Sequence, residues 1–198
     1  MTLEGGPAGG ARSLGSLTGA PPPEPAPGRT NPFTPTQIAA LLESTCALIE
    51  GEINALGDEG AQWHPAPGEW CVNECVGHLI EAERRGFAGR IRDMIADRPL
   101  AAWDQEAVAR ERNDCARMSQ SVWMEFMGLR HDAIALVRSL TAADLERSGE
   151  HPKVGTLRVK DLLQEWVHHD RNHTKQLLAV VQARVYPHMG NSQKFVGE

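Results

Sequence analysis

The chain has 198 residues, a mass of 21.6 kDa and a formal net charge of −6, with a pI of about 5.8. This acidic balance, without a cluster of Lys and Arg, excludes a basic nucleic-acid-binding surface. The sequence contains neither a run of about 18 apolar residues nor the charged and apolar regions of a signal peptide. We therefore predict no membrane insertion and a cytoplasmic location, where four cysteines are expected to remain thiols.

Composition divides the chain into a domain and two tails. Residues 1–31 contain 7 of the 19 Gly and 6 of the 13 Pro, and no Ile, Val or aromatic residue. Such a segment buries too little apolar area to offset the entropy of ordering, so we predict a disordered tail. Residues 32–185 carry all five Trp and are predicted to form one folded domain. Residues 186–198 are expected to be a flexible C-terminal tail.

The first predicted helix begins near residue 35. Thr34 and Gln37 have the spacing of a capping box, and apolar residues then recur at helical spacing as far as Leu56. Gly57 and Gly60 are expected to end the helix. A connection rich in Pro and Gly follows over residues 63–70.

The second predicted helix runs from about Val72 to Ala96. Its apolar face includes His78, whereas most of its charged residues, including Glu81 and Glu83, are expected to face water. Residues 98–117 are polar and weakly patterned, which indicates a long crossover with a short helix.

Two further helices complete the predicted domain. Helix three covers about Ser121–Leu140 and helix four about Val159–Ala183, with residues 149–155 as a loop between them. No strand is predicted. Four long amphipathic helices, with a long crossover between helices 2 and 3, indicate an all-α four-helix bundle.

Histidines on the predicted apolar faces are the strongest candidates for chemistry. His169 and His173 are four residues apart on helix four, so their rings share one face, and His78 offers a third imidazole from helix two. Spacing alone leaves two interpretations open, namely hydrogen-bonded core histidines or a metal site. Three imidazoles would leave a coordination position open, as catalytic sites require. His168 points about 100° away from His169 and is predicted to lie outside the ligand set.

Other polar residues offer alternatives to that ligand set. Asp170 and Gln176 could orient the histidines, although lone polar residues on a helix are more often solvated. Cys71, Cys75 and His78 form a rival set of possible ligands, although buried cysteines are common and the spacing is not that of a standard zinc motif. Cys71 also falls at a helix N-cap, where the helix lowers a thiol pKa, so a reactive thiol and simple packing both remain open.

Three segments together resemble the DinB-like (DinB/YfiT) metalloprotein family. They are residues 69–79, 151–163 and 166–177. The resemblance extends over about 150 residues, from Thr34 to Val181. It implies an up-down-down-up four-helix bundle that holds one divalent metal, zinc or nickel, through His78, His169 and His173.

Two positions depart from the family pattern. Cys71 stands where the family usually has Ser or Thr as the cap of helix two, and Arg158 replaces the usual Thr before helix four. Cysteine is a poor N-cap, so we expect that helix end to be weakened without any change to the ligand set.

The resemblance also implies a function. Characterised members of the family include isomerases and transferases that use a low-molecular-weight thiol, and many members carry only a hydrolase label. We therefore expect a metal-dependent thiol transferase or hydrolase that acts on a small molecule between the helices, in a homodimer. Asp104 and Glu106 in the crossover are candidate general bases, although both also suit a solvated surface. The alternative is a non-enzymatic metal-binding stress or interaction protein.

Overall fold

The computed structural model describes residues 31–196, so the predicted disordered tail over residues 1–31 lies outside the described residues except for its last residue. The helices are α1 Pro35–Ala61, α2 Val72–Glu81, α3 Phe87–Ile95, α4 Gln105–Arg112, α5 Ser119–Ser139, α6 Ala142–Leu145 and α7 Val159–Val185. A π-helical turn, Ala82–Gly86, joins α2 to α3, and 3₁₀ turns occupy Asp114–Ala116, Tyr186–His188 and Gly190–Phe195. None of the helices described has the length and apolar character needed to span a membrane. Flexibility of residues 186–198 stays a prediction.

The start of α1 is the predicted capping box, but its end differs from the prediction. Thr34 Oγ1 accepts the N–H of Gln37, and Gln37 Oε1 accepts the N–H of Thr34 at 2.9 Å. Gly57 adopts a φ of 59° and kinks the helix, yet the chain resumes a helical turn to Ala61. A glycine at positive φ changes the direction of the helix here without terminating it.

Long-range hydrogen bonds establish the directions of the helices. The backbone of Phe33 contacts Gln164, and Glu59 pairs with Arg184, so the beginnings and the ends of α1 and α7 coincide and the two helices are parallel. On α5, Arg138 pairs with Glu43 near the start of α1, so α5 is antiparallel to α1. These directions agree with the predicted bundle, in which helices two and three run the same way and need a long crossover.

α2 runs opposite to α7. Trp70, just before α2, stacks on His173, whereas Glu83, just after α2, accepts a hydrogen bond from Trp166 at 3.2 Å. Because the sequence order of these contacts is reversed between the two segments, α2 and α7 are antiparallel. The fold is therefore the all-α four-helix bundle that the sequence predicted, with the up-down-down-up directions that the family resemblance implied.

The prediction of no strand is wrong for residues 148–158. β1 Ser148–His151 and β2 Gly155–Arg158 form an antiparallel hairpin before α7, with His151 opposite Gly155. Gly155 has a φ of 76°, a conformation that its lack of a Cβ permits in the tight turn. The strands are only four residues long, which is too short for an alternating pattern to distinguish them from a loop.

The bundle core consists of two apolar clusters. Along each long helix, a layer of buried polar residues separates the residues of one cluster from those of the other. We call the cluster that contains Phe126 of α5 the lower cluster and the one that contains Ala133 the upper cluster. The fully buried Arg130 lies between these two residues on α5. On α7 the two clusters include Trp166 and Leu177, and the histidines lie between these residues. The polar layer is where the side chains capable of chemistry are found.

Candidate metal centre

His78, His169 and His173 meet between α2 and α7. Their potential ligand nitrogens all lie within 4.8 Å of one another, and the ring centroids are 4.3–5.1 Å apart. The Nε2 atoms of His78 and His169 are 3.0 Å apart. The structure thus brings together the three histidines that the sequence singled out, whereas His168 is exposed and directed toward Asn172.

The nitrogen geometry fits a single metal ion. Two nitrogens each about 2.1 Å from one ion, at ligand angles of about 90–109°, lie about 3.0–3.4 Å apart. The separation of 3.0 Å between the Nε2 atoms of His78 and His169 falls at the lower end of this range. Among residues 31–196, this cluster contains histidines only, so the protein supplies three donors and no fourth.

The electrostatics of the cluster keep the three imidazoles neutral. Burial, together with the neighbouring imidazoles, holds the pKa of His78 well below its usual value. Burial lowers the pKa of His169 to about 3, with His173 and Arg130 contributing. The pKa of His173 is also lowered by burial, although its hydrogen bond to Gln176 opposes that shift. Neutral imidazoles carry the nitrogen lone pairs that a metal requires.

Gln176 sets the orientation of one of these rings. Its Oε1 lies 3.0 Å from Nδ1 of His173. An amide oxygen only accepts, so the Nδ1–H of His173 is the donor and the lone pair of that ring is on Nε2. Hydrogen bonds of this kind fix the tautomer and ring direction of metal-binding histidines. Within the described part of the chain, His169 Nδ1 is buried and has no hydrogen-bond partner.

Aromatic side chains enclose the histidines. Trp70 lies 5.4 Å from the ring of His78, and Trp103 of the crossover stacks on His78 at 6.2 Å between centroids. Phe87 contacts the ring of His169 edge-on at 5.0 Å. These rings shield the nitrogen cluster from bulk water, and in such an environment electrostatic interactions are strengthened.

A buried charge network that the sequence did not reveal adjoins the histidines. Arg130 is 0 % exposed and donates to both carboxylate oxygens of Asp170, at 2.5 and 3.0 Å. It also pairs with Glu83 at 2.6 Å. Burial raises the pKa of Glu83 to about 7, against the opposing attraction of Arg130. Because Asp170 follows His169 directly, the network holds α7 in place beside the candidate ligand His169.

Glu81 and Glu83, which were expected to face water, are buried, and so is Asp170, for which both solvation and a role beside the histidines were open. Glu81 and Glu83 are 3 % and 1 % exposed, and Asp170 is 2 % exposed. Glu83 lies four residues after the buried Leu79 on the same helix face, and this face brings it to Arg130 and Trp166. Glu81 is covered by the crossover, where Arg112 pairs with it at 3.0 Å.

The two candidate general bases in the crossover have structural partners. Asp104 caps α4, where its Oδ1 accepts the N–H of Ala107 at 3.0 Å. Glu106 pairs with Arg110 at 3.8 Å, and both of these side chains are exposed. These contacts favour the interpretation of both acids as surface groups.

The rival ligand set is not assembled. Cys75 is fully buried in the lower apolar cluster, and burial raises the pKa of its thiol. Cys71 lies instead in a separate cluster with His64 and Cys115. Burial, a hydrogen bond with Cys115 and the charge of Glu74 all raise the pKa of the Cys71 thiol. These effects outweigh the helix N-terminus, so the interpretation of Cys71 as an activated thiol is not supported.

Comparison with known proteins gives the family of the chain. The family model described as the DinB superfamily matches residues 41–177. The uncharacterized protein YuaE from Bacillus subtilis (strain 168) is 23 % identical over 140 residues, which cover 64 % of this chain and 86 % of YuaE. The structure of YfiT from Bacillus subtilis, described as a probable metal-dependent hydrolase with an unusual four-helix bundle topology, superposes with a TM-score of 0.68 at 17 % identity. The superposition covers 78 % of this chain and 91 % of the YfiT chain. The chain belongs to the DinB superfamily.

Proposed function

We propose that this chain is a metal-dependent enzyme that acts on a small molecule, with one divalent metal held by His78, His169 and His173. The convergence of three shielded, neutral imidazoles on one point carries the proposal. Burying His78 and half-burying His169 and His173 with these few hydrogen bonds is costly unless a metal engages the nitrogen lone pairs. Three protein ligands leave a position for a reactant, as in catalytic rather than structural sites.

Hydrolysis is the reaction that the likeness to YfiT supports, and thiol transfer is the alternative from the family resemblance. A divalent metal with an open position lowers the pKa of a bound water or thiol and polarises an electrophile. Residues of the chain would orient the histidines and limit the access of bulk water. Gln176 holds His173 in the tautomer that presents Nε2, and Trp70 and Trp103 pack against His78 and shield it from bulk water.

Metal content and activity of matched histidine variants test this proposal. His169→Ala is expected to lose one equivalent of metal relative to the natural protein, together with hydrolysis of a panel of small esters and amides. His168→Ala, a change to an exposed imidazole on the same helix, should lose neither. Equal metal content and activity in the natural protein and in His169→Ala would contradict the proposal.

Two further experiments separate the reaction classes. With cobalt in place of the native metal, a thiol transferase should change its visible spectrum when a low-molecular-weight thiol is added, whereas a hydrolase should respond to small anions. If chelation unfolds the chain and the metal responds to neither, the non-enzymatic alternative is correct. Zinc or nickel as the native metal, a homodimer and a cytoplasmic location stay predictions.

A further inference from the structure

A second group of metal-binding side chains lies outside the three-histidine centre. It consists of His64 in the connection after α1, Cys71 before α2, Glu74 in the first turn of α2 and Cys115 in the 3₁₀ turn of the crossover. One donor atom from each lies within 4.8 Å of the others. We call these four residues the Cys-His-Glu cluster. Three separate segments of the chain meet there.

His64 is already oriented as a ligand. Its Nδ1 lies 2.7 Å from the backbone oxygen of Glu69, which can only accept, so Nδ1 carries the proton. The lone pair is therefore on Nε2, which lies 3.1 Å from Sγ of Cys115. A ring nitrogen that donates to a backbone carbonyl while the other nitrogen faces the metal is the usual arrangement of metal-binding histidines.

The two thiols and the carboxylate complete a plausible coordination sphere. The donor atoms of Cys71 and Cys115 lie within 4.8 Å of each other, and Glu74 Oε2 accepts the N–H of Cys71 at 2.9 Å. In the absence of a cation both burial and Glu74 disfavour a thiolate at Cys71. A bound metal removes that penalty because it deprotonates a coordinating thiol outright.

The donor spacing needs only a small adjustment to admit an ion. A sulfur about 2.3 Å and a nitrogen about 2.1 Å from one zinc ion in tetrahedral geometry lie about 3.6 Å apart. The observed separation between Cys115 Sγ and His64 Nε2 is 3.1 Å. The side chain of His64 is 44 % exposed, so it can move outward by this amount without displacing packed neighbours.

We propose that His64, Cys71, Glu74 and Cys115 form a second metal site, which binds one zinc ion. Thiolate and imidazole donors favour zinc over the harder magnesium and calcium ions. When the ion binds, the S–H proton of each cysteine passes to solvent as its sulfur bonds to zinc, and no electron is transferred. All four ligands come from the protein, so this is a closed, structural site.

The second ion would hold the crossover against the three-histidine centre. Cys115 follows Asp114, whose carboxylate lies against Gly77, the neighbour of His78. Asn73 in the first turns of α2 also donates to the backbone oxygens of Asp114 and Arg117. Zinc at the Cys-His-Glu cluster would join this turn covalently to the start of α2 and thereby hold the segment that carries Trp103 over His78.

Cobalt binding in the His169→Ala background tests the site independently of the proposed function, because that variant lacks the first site. The protein is kept reduced with a phosphine, which is not a thiol ligand. We expect one equivalent of cobalt with a sulfur-to-cobalt charge-transfer band in the ultraviolet. Adding Cys115→Ser should abolish the band and the bound cobalt. Adding Cys46→Ser should change neither, since that half-buried thiol donates to the backbone oxygen of Leu42 and lies outside the Cys-His-Glu cluster.

A second variant covers the case in which Cys115→Ser does not fold. His64→Ala removes an exposed ring and is expected to lower cobalt affinity at least tenfold while the helical circular dichroism is unchanged. The proposal is overturned if folded His169→Ala, with all four thiols titratable, binds no cobalt with a sulfur band. It is equally overturned if the protein as purified contains a Cys71–Cys115 disulfide and still binds no metal after phosphine has reduced that disulfide.

Discussion

The three-histidine centre and the Cys-His-Glu cluster differ in what holds them and in what they offer. The first takes its donors from two long helices and is enclosed by Trp70, Trp103 and Phe87. The second takes its donors from loops and helix ends, includes an exposed ring and uses sulfur, nitrogen and oxygen. The first presents three donors and the second four. This difference indicates that the first centre suits a reaction, whereas the second suits a structural link between the crossover and the start of α2.

The largest expected effect is the loss of metal affinity at the three-histidine centre alone. His169→Ala should reduce metal affinity there by more than about 100-fold, because loss of a ligand exceeds the 10–100-fold cost of losing a ligand's hydrogen-bond partner. Metal bound at the Cys-His-Glu cluster should remain, as measured by the sulfur-to-cobalt band. Loss of both metals in a folded His169→Ala protein would show that the two regions are not independent.

The next effect concerns the buried charges beside the first centre. Arg130→Met leaves Glu83 and Asp170 buried without their cation, so the free energy of unfolding should fall by about 3–5 kcal/mol. Urea denaturation measures this change. The matched control is Arg138→Met, which removes an exposed pair with Glu43 and should cost no more than about 1 kcal/mol. Equal costs for the two variants would refute a special role for the buried network.

A substitution at Gly77 should disturb both regions at once. A Cβ at this position would lie within 1.9 Å of Asp114 Oδ2, which is held by Arg112 at 2.7 Å. Gly77→Ala must therefore push the crossover away from α2, and we expect a loss of about 3 kcal/mol in stability with weaker metal binding at both sites.

Gly128→Ala provides the control for that prediction. A Cβ there meets nothing within 4 Å, so the change should raise stability by up to about 1 kcal/mol through helix propensity. Thermal unfolding with and without metal distinguishes the two variants. A Gly77→Ala protein as stable as Gly128→Ala would show that the contact between the crossover and α2 is not tight.

The smallest expected effect is a reduced metal affinity at the three-histidine centre in a variant that keeps all three ligands. Gln176→Leu deletes the acceptor for His173 Nδ1, and metal affinity at the three-histidine centre should fall by about 10–100-fold. Competition with a chelator of known affinity measures the change. The sulfur-to-cobalt band should be unaffected, and a loss confined to that band would contradict the assignment of Gln176 to the histidine centre.

The sequence predicted the features that depend on regular periodicity. His169 and His173 share a helix face by their spacing, and the apolar stripes predicted the four long helices. Arg130 was missed although its position gave a signal. It lies four residues after Phe126 and three before Ala133, on the buried stripe of α5.

Other features could not be predicted because they depend on tertiary structure. Glu83 is buried beside Arg130 of α5, which lies 47 residues further along the chain, and the apolar stripe of one helix does not reveal a partner on another. Cys115 lies 44 residues after Cys71 in an irregular crossover, so no spacing relates the two. The packing of Asp114 against Gly77 and the hydrogen bonds from Asn73 to Asp114 and Arg117 bring these cysteines together.

The most direct test of the central claim is anomalous X-ray scattering at the zinc absorption edge from crystals of the zinc-loaded natural protein. We expect an anomalous peak about 2.1 Å from Nε2 of His78, His169 and His173, with a further non-protein ligand on the open side. Folded, zinc-loaded crystals that show no peak among these three nitrogens would contradict it.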